Sequence, residues 1–275
     1  MNEAEYNAAE GIRRSDLWKI HDSPEKFKWA IEHPDEETTP AFTFGQAAHK
    51  LLLEPTDFFC EFAIKPDVDR RTAEGKERWA RFQEEAQGRT VIDQETYDTI
   101  RDMVKKAYAG PMVAKLLMGR KEQPYFWTDP DTGVKCKVRA DCVTWLDGEE
   151  LPVIVDYKTT TDARTRKFVR DAAEYGYFLQ AAMYTEGVMR CLKLDARPRF
   201  AFIVQEKKPP HSINIITVPE DAMLYGLDTF RELLGVYHEC VEMDNWPGYT
   251  GAFGMENELY VPGWLRPNAG DDLVD

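Results

Sequence analysis

Residues 134–160 read VKCKVRADCVTWLDGEELPVIVDYKTT. From 134 to 146 polar and apolar side chains alternate, the period of a strand half exposed on one face. Cys136, Val138, Ala140 and Cys142 share the side expected to meet a core. Lys135, Lys137, Arg139 and Asp141 share the other. Asp147-Gly148 is turn chemistry, and residues 152–158 form an apolar second strand that the turn folds back antiparallel. On it Ile154, Asp156 and Lys158 point one way, and Val153, Val155 and Tyr157 the other. The return brings Asp141 near Asp156. Paired carboxylates repel unless a cation lies between them, and such oxygen donors suit Mg²⁺ or Mn²⁺. Taken singly, Asp156 and Lys158 read equally as a strand-end ion pair, and Asp141 as the end of a solvated face.

The pattern continues on both sides. Residues 122–128 are an earlier strand, followed by the turn Asp129-Pro-Asp-Thr-Gly133. Residues 199–205 and 212–218 form a second strand pair, and 174–192 and 219–243 are helical. The first 120 residues read as helices. Ser15 caps a short one, and Ser23-Pro24 starts another. Residues 44–53 carry an apolar stripe at 44, 47, 48, 51 and 52, ended by Pro55. Residues 72–87 and 93–109 are further helices, the second capped by Asp93. This order predicts an α/β (α+β) fold, a mixed sheet flanked by helices. One domain is expected over 1–275: a helical part at 1–120, a sheet core at 121–245 and an irregular tail at 246–275.

Of 275 residues, 43% are hydrophobic, enough for a large core, and the net charge of −14 excludes bulk coating of nucleic acid. A local basic groove remains compatible with it. No apolar run reaches membrane-spanning length. The start, MNEAEYNAAEG, lacks the apolar core of a secretory signal. Five scattered cysteines without a CxxC read as reduced thiols.

Other side chains have both plain and chemical readings. His49 flanks the buried stripe, as a half-buried histidine or as a ligand. Gln180 and Tyr184 share one helical face, either a polar edge or a pair that positions a phosphodiester. Glu122 begins a strand beside Lys121, on the surface or within reach of a metal. Arg70, Arg71, Lys137, Arg139, Arg164, Arg166 and Lys167 are solvated charges or phosphate contacts.

Taken in order, Gly45-x-x-x-His49, Arg139-Ala-Asp141, Val155-Asp-Tyr-Lys-Thr-Thr160 and Gln180-x-x-x-Tyr184 resemble the PD-(D/E)XK nuclease superfamily. More narrowly the chain is similar to phage and prophage exonucleases of the RecE type (exodeoxyribonuclease VIII-like), in the RecB-like branch. The matching context includes SDLW, SPEKF, FGQAAHKLLLEP, DRRTAEGKE, DPDTGVKCKVRAD and the WPGY tail, nearly the whole chain.

The resemblance implies that Asp141, Asp156 and the backbone carbonyl of Tyr157 hold divalent cations, with His49 as a further ligand. It implies that Lys158 orients the attacking water, and that Gln180 and Tyr184 contact DNA or steady Lys158. Where the superfamily often has Glu, this sequence has Asp156, as in the RecB/RecE branch. The implied activity is Mg²⁺-dependent digestion (Mn²⁺ substituting) of the 5′-ended strand of linear duplex DNA to 5′-mononucleotides. That leaves 3′ tails for a single-strand annealing protein of the RecT kind. A ring-shaped homo-oligomer is implied, a tetramer rather than a trimer, in the cytoplasm of a phage- or prophage-bearing bacterium. No iron–sulfur cluster is expected, because the four-cysteine pattern is absent. The alternatives are an endonuclease on the same fold and a DNA-binding scaffold with a retired site.

Overall fold

Caps and apolar stripes set the helices that precede the sheet. The structure, a computed structural model, describes residue 1 and residues 3–33 and 39–250. Helix α1 spans Glu3–Ala8 and α2 Arg14–Asp22. The expected Ser15 cap is not used: α2 begins two residues earlier, with Arg13 in the cap position, and Asp16 Oδ2 accepts from the Arg13 N–H at 3.0 Å. Helix α3 (Pro24–Glu32) starts as expected, with the Ser23 hydroxyl over the Lys26 N–H. Helix α4 (Pro40–Leu53) opens with the Thr39 hydroxyl accepting from the Phe42 N–H and Pro40 in its first turn.

Helix α5 (Phe58–Glu61), strand β1 (Phe62–Ile64), helix α6 (Ala73–Glu85) and strand β2 (Thr90–Ile92) follow. β1 and β2 form a short parallel pair that periodicity misses, because three residues carry no pattern. Helix α7 (Gln94–Ala109) is capped by Asp93, and α8 covers Pro111–Leu116.

Next come β3 (Arg120–Thr128), β4 (Lys135–Thr144), β5 (Val153–Thr160), α9 (Thr165–Glu174), α10 (Tyr177–Leu192), β6 (Arg199–Glu206), β7 (Ile213–Thr217) and α11 (Glu220–Met243). The basic run after β5 is thus a helix of its own, broken from α10 at Gly176, whose φ of +68° favours glycine. The sheet order is β3-β4-β5-β6-β7. Only β5 and β6 pair in parallel, and α9 and α10 make the crossover that a parallel pair needs.

The sheet is buried on both faces. On one, Val138, Ile154, Phe200 and Phe202 meet Leu179 and Met183 of α10 and Phe230 and Leu234 of α11. On the other, Val155, Tyr157 and Ile203 meet Ala48 and Leu52 of α4 and Ile100 of α7. Each fully buried Leu, Ile or Phe contributes about 1.5–3 kcal/mol. A Cβ on Gly226 of α11 would lie 2.2 Å from the Phe178 carbonyl oxygen, so glycine lets α10 and α11 approach closely.

The alternation of β4 changes phase. Cys136, Val138 and Ala140 share one core, but Cys142 lies in the other and Val143 joins the first. The shift falls at Asp141, across from Glu122, whose φ of +51° interrupts the pleat of β3. Residue 12 also inserts beside β4: Ile12 N–H donates to the Lys135 carbonyl at 2.8 Å, and Lys137 N–H to the Ile12 carbonyl at 3.0 Å. Among the described residues no helix is long and apolar enough to cross a membrane. The expected irregular tail is described only as far as Tyr249-Thr250; the rest lies outside the described residues.

Candidate active site

β4 and β5 part at the site. Their ladder runs Thr144↔Val153, Val143↔Ile154, Cys142↔Val155. The next two residues are Asp141 and Asp156. Asp141 Oδ2 accepts the Tyr157 N–H at 2.8 Å, so a carboxylate satisfies a buried donor where the strands separate.

Helix α4 supplies His49. A Cβ on Gly45 would lie 3.7 Å from Thr159 Oγ1, so α4 runs against β5 one turn before His49. His49 Nε2 lies 2.8 Å from Asp141 Oδ2 and Nδ1 lies 3.4 Å from Glu122 Oε1. Glu122 Oε2 pairs with Arg139 Nε at 2.8 Å. On β5, Asp156 is 1% exposed and its Oδ2 lies 2.5 Å from Lys158 Nζ. The Gln180 amide donates to Asp156 Oδ1. Lys158 Nζ rests 4.9 Å from the centre of the Tyr177 ring.

Burial and charge oppose each other here. Burial pushes Asp156 up to about 6, and the nearby Asp141 adds to this against the pull of Lys158. Glu122 rises to about 7, chiefly through burial. Burial would lower His49, but Asp141 and Glu122 overcome it and raise the imidazole to about 9. Asp141 ends below the usual carboxylate range: burial opposes this, and His49, Lys158 and the Tyr157 N–H outweigh it.

The sequence-derived candidates divide into groups. His49, Glu122 and Asp141 each turn a ligand atom into a space where all lie within 4.8 Å of one another. Asp156, Lys158 and Gln180 form the adjoining linked set. Tyr157 contributes its N–H to Asp141, while its hydroxyl turns to Gln205 Oε1 at 2.7 Å on the opposite face. Tyr184 lines a cleft of about 200 Å³ together with His49, Glu122 and Asp141, and burial holds its hydroxyl un-ionised. Tyr6, Arg13 and Arg14 line the same cleft; the sequence reading missed them because they come from α1 and the start of α2, far away in the chain.

The basic candidates fare differently. The expected exposed row on β4 is not one: Lys137 is 3% exposed, and its ammonium donates to the carbonyls of Tyr6 at 2.9 Å and Asn7 at 3.2 Å, and to that of Ala9. It caps the end of α1, which corrects its reading as a DNA contact. Arg139 turns inward between Glu122 and Glu3. Arg164 and Lys167 pair with Asp162 and Asp171, and Arg166 is exposed on α9. Arg70 lies over Trp79 at 4.8 Å, and Arg71 is exposed in the turn before α6.

The donor set fits a small hard divalent cation. It combines carboxylate oxygens with one imidazole, and Glu122 Oε1 is buried without a hydrogen-bond partner. His49 would have to be neutral to ligate; protonated, it supplies the positive charge between Asp141 and Glu122 itself. His49, Glu122, Asp141 and Asp156 are the residues that would hold such an ion.

A mixed sheet with acids and a lysine where two central strands diverge defines a PD-(D/E)XK-type domain. The family model described as "PDDEXK-like domain of unknown function (DUF3799)" matches residues 14–258, and the chain belongs to that family. Among solved structures, the crystal structure from Eubacterium rectale named "Putative exonuclease" shares 12% identity with this chain. The match covers 98% of this chain and 96% of that one, with a TM-score of 0.59, and shows the common fold. The structure named SSO0001 matches at TM-score 0.31 and 12% identity, over 80% of this chain and 84% of that one. No curated protein matches the sequence significantly.

Proposed function

We propose that the protein is a Mg²⁺-dependent DNA exonuclease, with Mn²⁺ able to substitute. It digests the 5′-ended strand of linear duplex DNA to 5′-mononucleotides and leaves 3′ single-stranded tails. The observation that carries this reading is the His49–Glu122–Asp141 cluster beside the Asp156–Lys158 pair, on a PDDEXK-like fold. The name of the Eubacterium rectale neighbour agrees with it.

A bound divalent cation would lower the pKa of water and offset charge on the phosphoryl oxygens. The remaining roles fall to the chain. Asp141 and Asp156 fix the negative side of the site, Asp141 being locked by the Tyr157 N–H. Lys158 orients the attacking water and balances charge that develops in the transition state. Gln180 fixes the rotamer of Asp156, and the Tyr177 ring limits the swing of the lysine. Tyr184 and the arginines of the cleft face the phosphodiester. The proposal includes a ring-shaped homo-oligomer, a tetramer rather than a trimer, around the duplex. It also includes a RecT-type annealing partner in the cytoplasm of a phage- or prophage-bearing bacterium.

The test is digestion of linear duplex labelled at one 5′ or one 3′ end, beside a covalently closed circle, with Mg²⁺ and with EDTA. Early loss of the 5′ label in Mg²⁺ alone, with the circle intact, is the expected result. A cut circle would make the protein an endonuclease. No cleavage in any divalent metal would make it a scaffold.

A further inference from the structure

A second cleft of about 200 Å³ opens at Lys158 and shares no lining residue with the cleft that holds His49, Glu122 and Asp141. Lys158, Lys167, Tyr175, Tyr177 and Lys207 line it, together with the hydroxyl-bearing run Thr159–Thr161. The two tyrosines lie with ring centres 6.0 Å apart and tilted by 43°, and Tyr175 is 50% exposed. Tyr177 is fixed from behind by Phe168, stacked at 5.5 Å.

The cleft is cationic. Its three lysines face one carboxylate, Asp171, which pairs with Lys167. Lys207 has no carboxylate partner among the described residues; its ammonium lies 5.0 Å from the centre of the Phe44 ring. It is half buried, and its N–H donates to the Thr160 carbonyl at 2.9 Å, which ties it to the end of β5. Burial holds its ammonium below the ordinary lysine range. A half-buried cation without a counter-charge is costly until an anion arrives.

Aromatic faces beside a row of lysines, one of them without a carboxylate partner among the described residues, make a stacking platform on an electrostatic track. The volume is below the ~300–1,000 Å³ of a closed small-molecule pocket, and it suits one unit of a chain that passes through. We propose that this cleft is a single-strand subsite: one unpaired base stacks on Tyr175, and the flanking phosphates lie against Lys207 and Lys167. The inference rests on the nuclease reading and adds that the strand is unpaired where it meets Lys158. Inside a duplex the bases are stacked on one another and offer Tyr175 no free face.

The probe is fluorescein-labelled oligothymidylate, its anisotropy measured in EDTA so that no strand is cut. A blunt hairpin duplex of equal charge is the comparison. Tyr175→Ala and Lys207→Gln leave the metal-ligand residues intact, and both sites are exposed or half buried. Each variant should weaken oligothymidylate binding by about tenfold or more and leave hairpin binding within about twofold. Lys207→Gln should also flatten the salt dependence by about 0.7 in slope. Unchanged oligothymidylate binding in both variants, or an equal loss for the hairpin, overturns the subsite. Cleavage by the wild-type protein is scored separately. Failure to cut DNA in any metal, with Tyr175-dependent strand binding intact, removes the nuclease and keeps the subsite. Normal cutting with no effect of either variant on binding removes the subsite and keeps the nuclease.

Discussion

Two buried carboxylate clusters sit at opposite ends of β4 and differ in how fully they are satisfied. Asp129, in the turn before β4, is 1% exposed. It accepts from the Thr132 N–H at 3.1 Å, the Thr132 hydroxyl at 3.0 Å and the Asp131 N–H at 3.3 Å, and it pairs with Arg231 of α11. Arg231 reaches Glu186 of α10 as well, at 2.9 Å. Burial pulls the Asp129 carboxyl upward, but Arg231 and Thr132 hold it below the ordinary range. At the other end, burial prevails at Asp156 and Glu122, and one Glu122 oxygen accepts no hydrogen bond, with His49 Nδ1 standing 3.4 Å away. A carboxylate that serves the fold is saturated with donors; one held ready for chemistry retains an acceptor for a group that comes later.

The sharpest way to break this contrast is mutation at its two ends. Asp141→Ala and Asp156→Ala should each lower cleavage by about 1,000-fold or more in Mg²⁺, with the circular dichroism spectrum unchanged. Cleavage retained by either variant would move the metal site elsewhere. Asp129→Ala should do the reverse. It removes the acceptor of the Asp131 and Thr132 donors and leaves Arg231 with Glu186 alone, which should cost about 1–3 kcal/mol in denaturant unfolding, with cleavage per folded molecule preserved. A full-rate, fully stable Asp129→Ala protein would dissolve the distinction.

Lys158→Ala should reduce turnover about 100-fold while calorimetry shows Mg²⁺ still bound. Glu122→Gln and His49→Ala should weaken metal affinity by about 10–100-fold; an unchanged Mg²⁺ titration would return both to structural roles. The smallest effect is on pH. Asp156 is raised from 3.8 to about 6 on folding, so the folded state binds more protons than the unfolded state between those values. Its contribution therefore falls as pH rises through that window. Asp156→Asn should raise the melting temperature at pH 7 and leave it unchanged near pH 3. Asp129 has the opposite sign, its stabilisation being present above the unfolded value and lost as pH falls.

The strand pair 134–160 was legible because its alternation and its turn are local. The same reading foresaw the helix that carries His49 and the crossover helix that carries Gln180. It failed where the decisive contact is distant. Lys137 looks like its neighbours Lys135 and Arg139, yet only Lys137 meets the end of α1, and no period in the sequence marks that choice. Glu122, beside Lys121, reads as a surface residue or as one within reach of a metal; its left-handed backbone turns it inward toward His49, which nothing in its side chain signals. Cys142 changes face because Asp141 leaves the pleat to meet Tyr157, a consequence of the site itself.

The bond from Lys137 to the Tyr6 carbonyl spans 131 positions of chain, and Tyr6 forms part of the wall of the metal-side cleft. During synthesis the first helix must wait for β4 to leave the ribosome before either has its partner. At about 5–20 residues per second that wait lasts on the order of ten seconds. The wall of the cleft therefore closes only when about half of the chain has been made, and a truncated translation product ending before β4 would carry His49 but no finished site.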